Sequence, residues 1–259
     1  MILTVDIGNT SINCGVFDGD TLVKKFRMPS DTELLVQDYS ALLEKELSDV
    51  SLDGAIIASV VEELNNRVQY SILALYGVMA HILSHTSVVP VKLSTDNPSE
   101  IGADRIANSV RGYELYKDAV IVVDFGTATT FDVVNLRGEF VGGLIAPGVM
   151  TQLKSLNNNT SKLPEIIPDK VNGFIGHNTK DAILSGVVAG SAGMVDKMLD
   201  KTVKELGEPV KLIATGGYCE LVSEYMETKF DMINPDITLE GLNSLFPANK
   251  PNQPIYKVK

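Results

Sequence analysis

The sequence predicts a mixed α/β fold built from two halves of like construction, and three observations carry that expectation. Short apolar strands alternate with amphipathic helices along the chain, the pattern of a sheet covered by helices. The stretch VDIGNTSINCGVFDGDTLV (Val5 to Val23) can be laid over VDFGTATTFDVVNLRGEFV (Val123 to Val141). Both read strand, Asp-x-Gly, small polar residues, strand, glycine turn, strand, as expected of an internal duplication. The chain has 259 residues, 44% of them hydrophobic and 21% charged, which is ordinary globular composition with enough length for two cores. The expected halves are 1–117 and 118–259.

Taken in order, MILTVDIG is an apolar run closed by glycine, and SINCGVF and TLVKKFRM follow across the turn DGD, so the chain opens on three strands. A helix is expected next, N-capped by Asp31, through DTELLVQDYSALLEKELSDV. GAIIASV reads as a buried strand, and VEELNNRVQYSILALYG as a helix ended by Gly77. RIANSVRGYELY continues as a helix from Gly102 and Ala103. The second half opens on the strand AVIVVDFG and passes through GGLIAPGV to a long helix, NTKDAILSGVVAGSAGMVDKMLDKTVKEL. Its small-residue run SGVVAGSAG lacks the spacing of a phosphate loop and reads as a face packed closely on another element. VKLIATGGY is a strand ending in a Gly-Gly turn, and FPANKPNQPIYKVK is expected to be a frayed tail.

Charge narrows the function classes. With 22 Lys and Arg against 33 Asp and Glu the net charge is −11, which argues against a nucleic-acid or acidic-membrane surface. A phosphate ligand would need bound cations. The start of the chain lacks the basic region of a signal peptide, and no run of about 18 apolar residues suggests a membrane span, so a cytoplasmic protein is expected. Cys14 and Cys219 form no metal-ligand pattern and read as buried free thiols, although two cysteines alone leave a single bridge open. There is no GxxxxGK[ST], HExxH or GxSxG. His81 and His85 have a metal-like spacing, but in strand-like sequence.

Two glycine hairpins and one Asp-Arg pair remain. In DIGNTS, Gly8 permits a tight turn while Asn9, Thr10 and Ser11 offer side-chain donors beside backbone N–H groups; DFGTATT repeats the arrangement with Gly126, Thr127, Thr129 and Thr130. Either hairpin alone reads first as an ordinary turn. The aspartates add the chemistry. A carboxylate only accepts hydrogen bonds, so beside a phosphate it requires an intervening cation. Asp6 therefore predicts a divalent ion bridged to phosphate through water, and Asp124 a second cation site. Asp104 and Arg105, at the mouth of a helix, supply a proton acceptor for a hydroxyl and a planar fork for an anionic group on the acceptor.

Six motifs in order, DIGNTSIN, GADR, VDFGTATTFD, GGLIAPGV, GHNTKDAILSGVVAG and ATGG, closely resemble those of the type III pantothenate kinases, in the superfamily of acetate kinase, sugar kinases, Hsp70 and actin. The resemblance implies two duplicated actin-like (ribonuclease H-like) domains with ATP in the cleft between them, and a homodimer. It implies transfer of the γ-phosphoryl of ATP to the primary hydroxyl of pantothenate, the first step towards coenzyme A. By motif match, Asp6, Ile7, Gly8, Asn9, Thr10, Ser11, Ile12 and Asn13 would hold the ATP phosphates, with Asp6 near Mg²⁺, and Thr127 would also contact ATP. Asp124 would bind K⁺ or NH₄⁺. Gly102, Ala103, Asp104 and Arg105 would bind pantothenate, with Asp104 as the base, and Thr179 would contact it near the dimer interface. Thr95 stands where many members of the family carry a pocket-lining Tyr, and reads here as a plain loop residue. His177 reads as a loop hydrogen-bonder. The competing expectation is a non-catalytic accessory regulator of the same fold.

Overall fold

In a computed structural model residues 1–251 are described, and most of the expected tail, 252–259, lies outside them. The opening strands are β1 (Ile2–Ile7), β2 (Ser11–Asp18) and β3 (Thr21–Pro29), separated from β4 (Gly54–Ser59) and the short β5 (His81–Ile82) by α1 (Val36–Leu47) and α2 (Glu62–Tyr76). They make a sheet ordered β3-β2-β1-β4-β5, with β1 antiparallel to β2 and parallel to β4. Strand alternation sorts the side chains. Leu3, Val5, Ile7, Ile12, Cys14, Phe26 and Met28 face one core with Leu43, Leu47, Leu64 and Ile72 of the helices. Asp6, Asn13 and Arg27 are in cross-strand register with one another, on the opposite face. The short β6 (Lys92–Leu93) and a 3₁₀ turn, Pro98–Glu100, lead to α3 (Ala103–Tyr116).

α1 starts five residues beyond the expected cap. Asp31 instead closes a turn, accepting Glu33 N–H at 2.8 Å through its carboxylate, and Asp38 holds the helix start by accepting Leu35 N–H at 2.8 Å. Asp and Ser favour turns and caps for the same reason, so composition alone could not say which one Asp31 served.

The later strands β7 (Val120–Phe125), β8 (Ala128–Val134), β9 (Glu139–Pro147), β10 (Lys211–Thr215) and β11 (Met232–Ile233) run in the order β11-β10-β7-β8-β9. Between β9 and β10 come α4 (Val149–Asn158), α5 (Thr179–Leu184), a π-helical turn (Ser185–Ala189) and α6 (Gly190–Leu206); α7 (Cys219–Ser223) follows β10. Ile121, Val123, Phe125 and Phe131 pack with Leu184, Val188, Val195 and Leu199 as the second core. The continuous helical run Thr179–Leu206 is long and apolar enough to cross a bilayer by length and composition alone, and 44% of its most apolar window is buried inside the structure. Its small-residue run packs on one face as expected, with Ser185, Val187, Val188, Ser191 and Ala192 buried, while Gly186, Gly190 and Gly193 lie on the open side, where a Cβ would meet nothing within 4 Å.

The last helix, α8 (Ile237–Leu245), returns to the first sheet. The chain divides into Met1–Arg111 together with the segment from Asp236, and Gly112–Pro235. The expected boundary at 117/118 is thus moved into α3, and the C-terminal segment joins the first unit. Its first part is not frayed: Phe246 is buried with its ring pressed against Gly54, where a Cβ would collide with it, and Asn249 brackets Val88, accepting its N–H and donating to its carbonyl, both at 2.8 Å.

Register also corrects the overlay of the two halves. Asp6 lies opposite Asn13 and Asp124 opposite Thr130, so the second hairpin loop is one residue shorter and the ungapped alignment slips by one beyond it. Such a slip exchanges the two faces of a strand. With the gap restored, β-bulges fall at matching places, Val16/Phe17 in one half and Val133/Val134 in the other.

Candidate functional site

In the first unit the hairpin loop is closed by Gly8 N–H donating to Ser11 O at 3.1 Å, which leaves Asn9 and Thr10 exposed at the tip. The side chains of Ile7 and Ile12 are fully buried, so these two residues can meet a ligand only through their backbone. Asp6 is half-buried, and its Oδ2 accepts the Asn13 amide N–H at 3.2 Å. The Asn13 carbonyl in turn accepts Arg27 Nε–H at 2.8 Å, which orients the amide so that its NH₂ faces the carboxylate. Arg27 belongs to no sequence motif.

Asp104 sits in the first turn of α3, where the helix dipole favours negative charge, and its Oδ1 accepts Arg105 N–H at 2.8 Å. Burial nevertheless pushes its pKa above the usual carboxylate range, and the hydrogen bond and charge of Arg105 pull the other way without cancelling it. Gly102 makes room for this pose, since a Cβ there would stand 2.5 Å from Asp104 Oδ1. The same Cβ would lie 3.7 Å from Val60 Cγ1, and Val60 N–H bonds Ile7 O at 3.0 Å. Thus the GADR turn and the first hairpin share a neighbour. Ala103 is buried and Arg105 half-buried. Thr95 Oγ1 is buried without a hydrogen-bond partner, an unusual state for a plain loop residue.

In the second unit Gly126 N–H bonds Ala128 O at 3.0 Å to close the hairpin. Thr127 projects an exposed side chain, while its carbonyl accepts Gly148 N–H at 3.1 Å and Thr151 Oγ1–H at 2.6 Å. Gly148 is sterically required, because a Cβ would run into the carbonyls of Gly126 and Thr127. The Asp124 carboxylate lies between two glycines. A Cβ at Gly126 would be 3.2 Å from its Oδ1, and one at Gly216, in the Gly-Gly turn after β10, would collide with it. Thr179 is the first residue of α5, exposed, behind the cap Asn178, which accepts Asp181 N–H at 2.9 Å. It lines a concavity of about 660 Å³ with Leu156, Leu163, His177, Ile183 and Val187. His177 is exposed and makes no hydrogen bond among the described residues, contrary to the loop reading. Cys14 and Cys219 are buried and free, and burial raises both thiol pKa values, which makes them inert. His81 Nε2 hydrogen-bonds Ser87 Oγ at 2.8 Å, and among the described residues no group of three or more His, Cys, Asp or Glu is placed to hold a metal ion.

The polar groups of the candidate site are thus two Asp-bearing hairpins and a half-buried Asp at a helix start. The family model described as type III pantothenate kinase matches residues 2–201. The chain belongs to the type III pantothenate kinase family. It is 37% identical over 254 residues to the type III pantothenate kinase of Dehalococcoides mccartyi strain CBDB1, covering 96% of each chain. The identity to that of Geobacter sulfurreducens is 36%, covering 96% of this chain and 100% of the relative. Among solved structures, the inorganic polyphosphate/ATP-glucomannokinase of Arthrobacter sp. strain KM superimposes with a TM-score of 0.51 at 14% identity, covering 94% of this chain and 96% of that one. At that identity the match speaks to the fold, and the type III pantothenate kinase assignment rests on the sequence relatives.

Proposed function

We propose that the protein phosphorylates the primary hydroxyl of pantothenate with ATP, with Asp104 as general base. The observation that carries this is the half-buried Asp104 carboxylate at the start of α3, beside Gly102 and Arg105 and with a raised pKa, in a chain of this family. Asp104 takes the hydroxyl proton as the oxygen attacks the γ-phosphorus, and Arg105 binds the pantothenate carboxylate with its planar fork. The Gly8–Ser11 hairpin cradles the phosphates with its backbone, and Thr127 contributes from the second hairpin. Asp6 suits Mg²⁺, which is held by one or two carboxylates with phosphate and water completing the shell, and which when bound neutralises phosphate charge. The cradle around Asp124, which a Cβ would fill, suits a monovalent cation, K⁺ or NH₄⁺. We place the protein in the cytoplasm as a homodimer. Exposed Ile167, Phe174 and Ile175, at 76%, 80% and 76%, support the dimer, and a monomeric mass by light scattering would refute it.

Release of ADP from ATP, Mg²⁺ and K⁺ should depend on pantothenate; a protein that binds pantothenate without turnover would be the regulator instead. Asp104→Asn should keep nucleotide binding and lose about 10²–10⁴ in kcat. In the wild type, activity should fall as pH drops through a value above the ordinary carboxylate range, because the base must be ionised. The linkage runs the other way for stability. A carboxyl with a raised folded pKa stabilises when protonated and loses that contribution as pH rises through the folded value. At neutral pH Asp104→Asn should therefore melt no lower than wild type, and a large fall in Tm would identify a structural Asp.

A further inference from the structure

We propose that Arg27 is a nucleotide-binding residue: a cation for the triphosphate, seated at the first hairpin by Asn13. The inference rests on the proposed placing of the ATP phosphates at that hairpin.

Three cations lie close together on β3, and their partners separate them. Lys24 pairs with Glu46 at 3.3 Å, and Lys25 pairs with Asp236. Arg27 makes no ion pair among the described residues, although the chain carries 33 acidic groups. Its side chain is exposed yet tethered, with Nε donating to Asn13 Oδ1 at 2.8 Å. A guanidinium held through Nε keeps the paired NH₂ edge that binds phosphate in bidentate fashion. The tether also places it: Asp6, Asn13 and Arg27 are a single cross-strand row on the face away from the core.

Charge explains why the row needs this end. The hairpin residues Gly8, Asn9, Thr10 and Ser11 carry no cation, and the nearest ionisable side chain in the row is the Asp6 carboxylate, which repels phosphate. One divalent ion leaves a bound triphosphate with net negative charge, and the guanidinium meets the remainder. The corresponding row of the second half, Asp124, Thr130 and Ile145, ends in an exposed isoleucine, so the fold itself does not demand a cation there. An Arg kept only for sheet solubility would have no reason to be hydrogen-bonded to the residue that holds Asp6.

The test is calorimetric titration of the full-length protein with ATP and with AMP, in Mg²⁺, for wild type, Arg27→Ala, Arg27→Lys and Lys25→Ala. Arg27→Ala should weaken ATP about tenfold or more, the scale of a charge-assisted bidentate contact. AMP, which lacks the β- and γ-phosphates, should change by less than about threefold, and Lys25→Ala should leave ATP within about twofold, as a surface ion pair would. Arg27→Lys should recover part of the loss. Unchanged ATP affinity in Arg27→Ala, or equal losses of ATP and AMP, would overturn the inference while leaving the proposed reaction standing. A wild-type protein that binds no ATP would instead remove both.

Discussion

The two Asp-Gly hairpins were built to one plan and finished differently. Both set an Asp opposite a polar residue on the next strand, both close with a glycine N–H, and both place a bulge three residues beyond the Asp's partner. The first Asp is then held by polar side chains, Asn13 and behind it Arg27. The second lies in close approach to the backbone at Gly126 and Gly216, with its loop clamped by Gly148 and Thr151. On the proposed function, the first carboxylate would take a solvated divalent ion beside the phosphates. The second, on the same reading, would take a monovalent ion. The two hairpins share a strand plan and register and differ in what surrounds the carboxylate.

The largest test of that contrast exchanges each Asp for Asn. Asp6→Asn should cost about 10²–10³ in turnover, the scale of one lost electrostatic contact in the transition state, and should abolish the advantage of Mg²⁺ in nucleotide binding. Asp124→Asn should preserve that Mg²⁺ advantage while turnover stops responding to K⁺ or NH₄⁺. If the two variants answered the two ions alike, the hairpins would be equivalent and the contrast would fail. A smaller effect comes from the glycines. Gly148→Ala should destabilise the second unit by about 1–3 kcal/mol, because the new methyl meets two carbonyls with no room to yield. Gly8→Ala, whose Cβ would meet only Ser11 O at 3.3 Å, should cost under about 1 kcal/mol. Equal shifts in the melting curves of these two variants would mean that the second hairpin is no more tightly clamped than the first.

Much of this was legible in the sequence. The strand–turn–strand rhythm, the helix ended by Gly77 and the long helix after Thr179 follow from periodicity and from Gly and Asn at their termini. Asp6, Asp104 and Asp124 declared themselves as carboxylates beside glycine turns where phosphate chemistry alone would not put them. Arg27 did not, and the bulge explains why. Counting back from the turn at Gly19 and Asp20 pairs Phe17 with Leu22; only the register shift between Val16 and Phe17 brings Arg27, rather than Phe26, opposite Asn13. A bulge leaves no reliable mark in composition. Gly148 and Gly216 were visible as glycines within GGLIAPGV and ATGG, yet that one guards a carbonyl pair and the other a carboxylate is a matter of tertiary approach. The C-terminal helix Ile237–Leu245 was not read from the sequence, and even a recognised amphipathic helix shows only that it has an apolar face and not which sheet will cover it.

That helix bears on how the molecule is made. Phe246 against Gly54 and Asn249 against Val88 complete a unit whose other residues end at Arg111, while the second unit is one uninterrupted stretch. On a ribosome the second unit has all its residues before α8 has been synthesised, and the first must wait for a segment translated after the whole of the second. The half that emerges earliest is the half finished latest, so a pause or truncation near residue 236 would release a chain with its second sheet whole and its first still open.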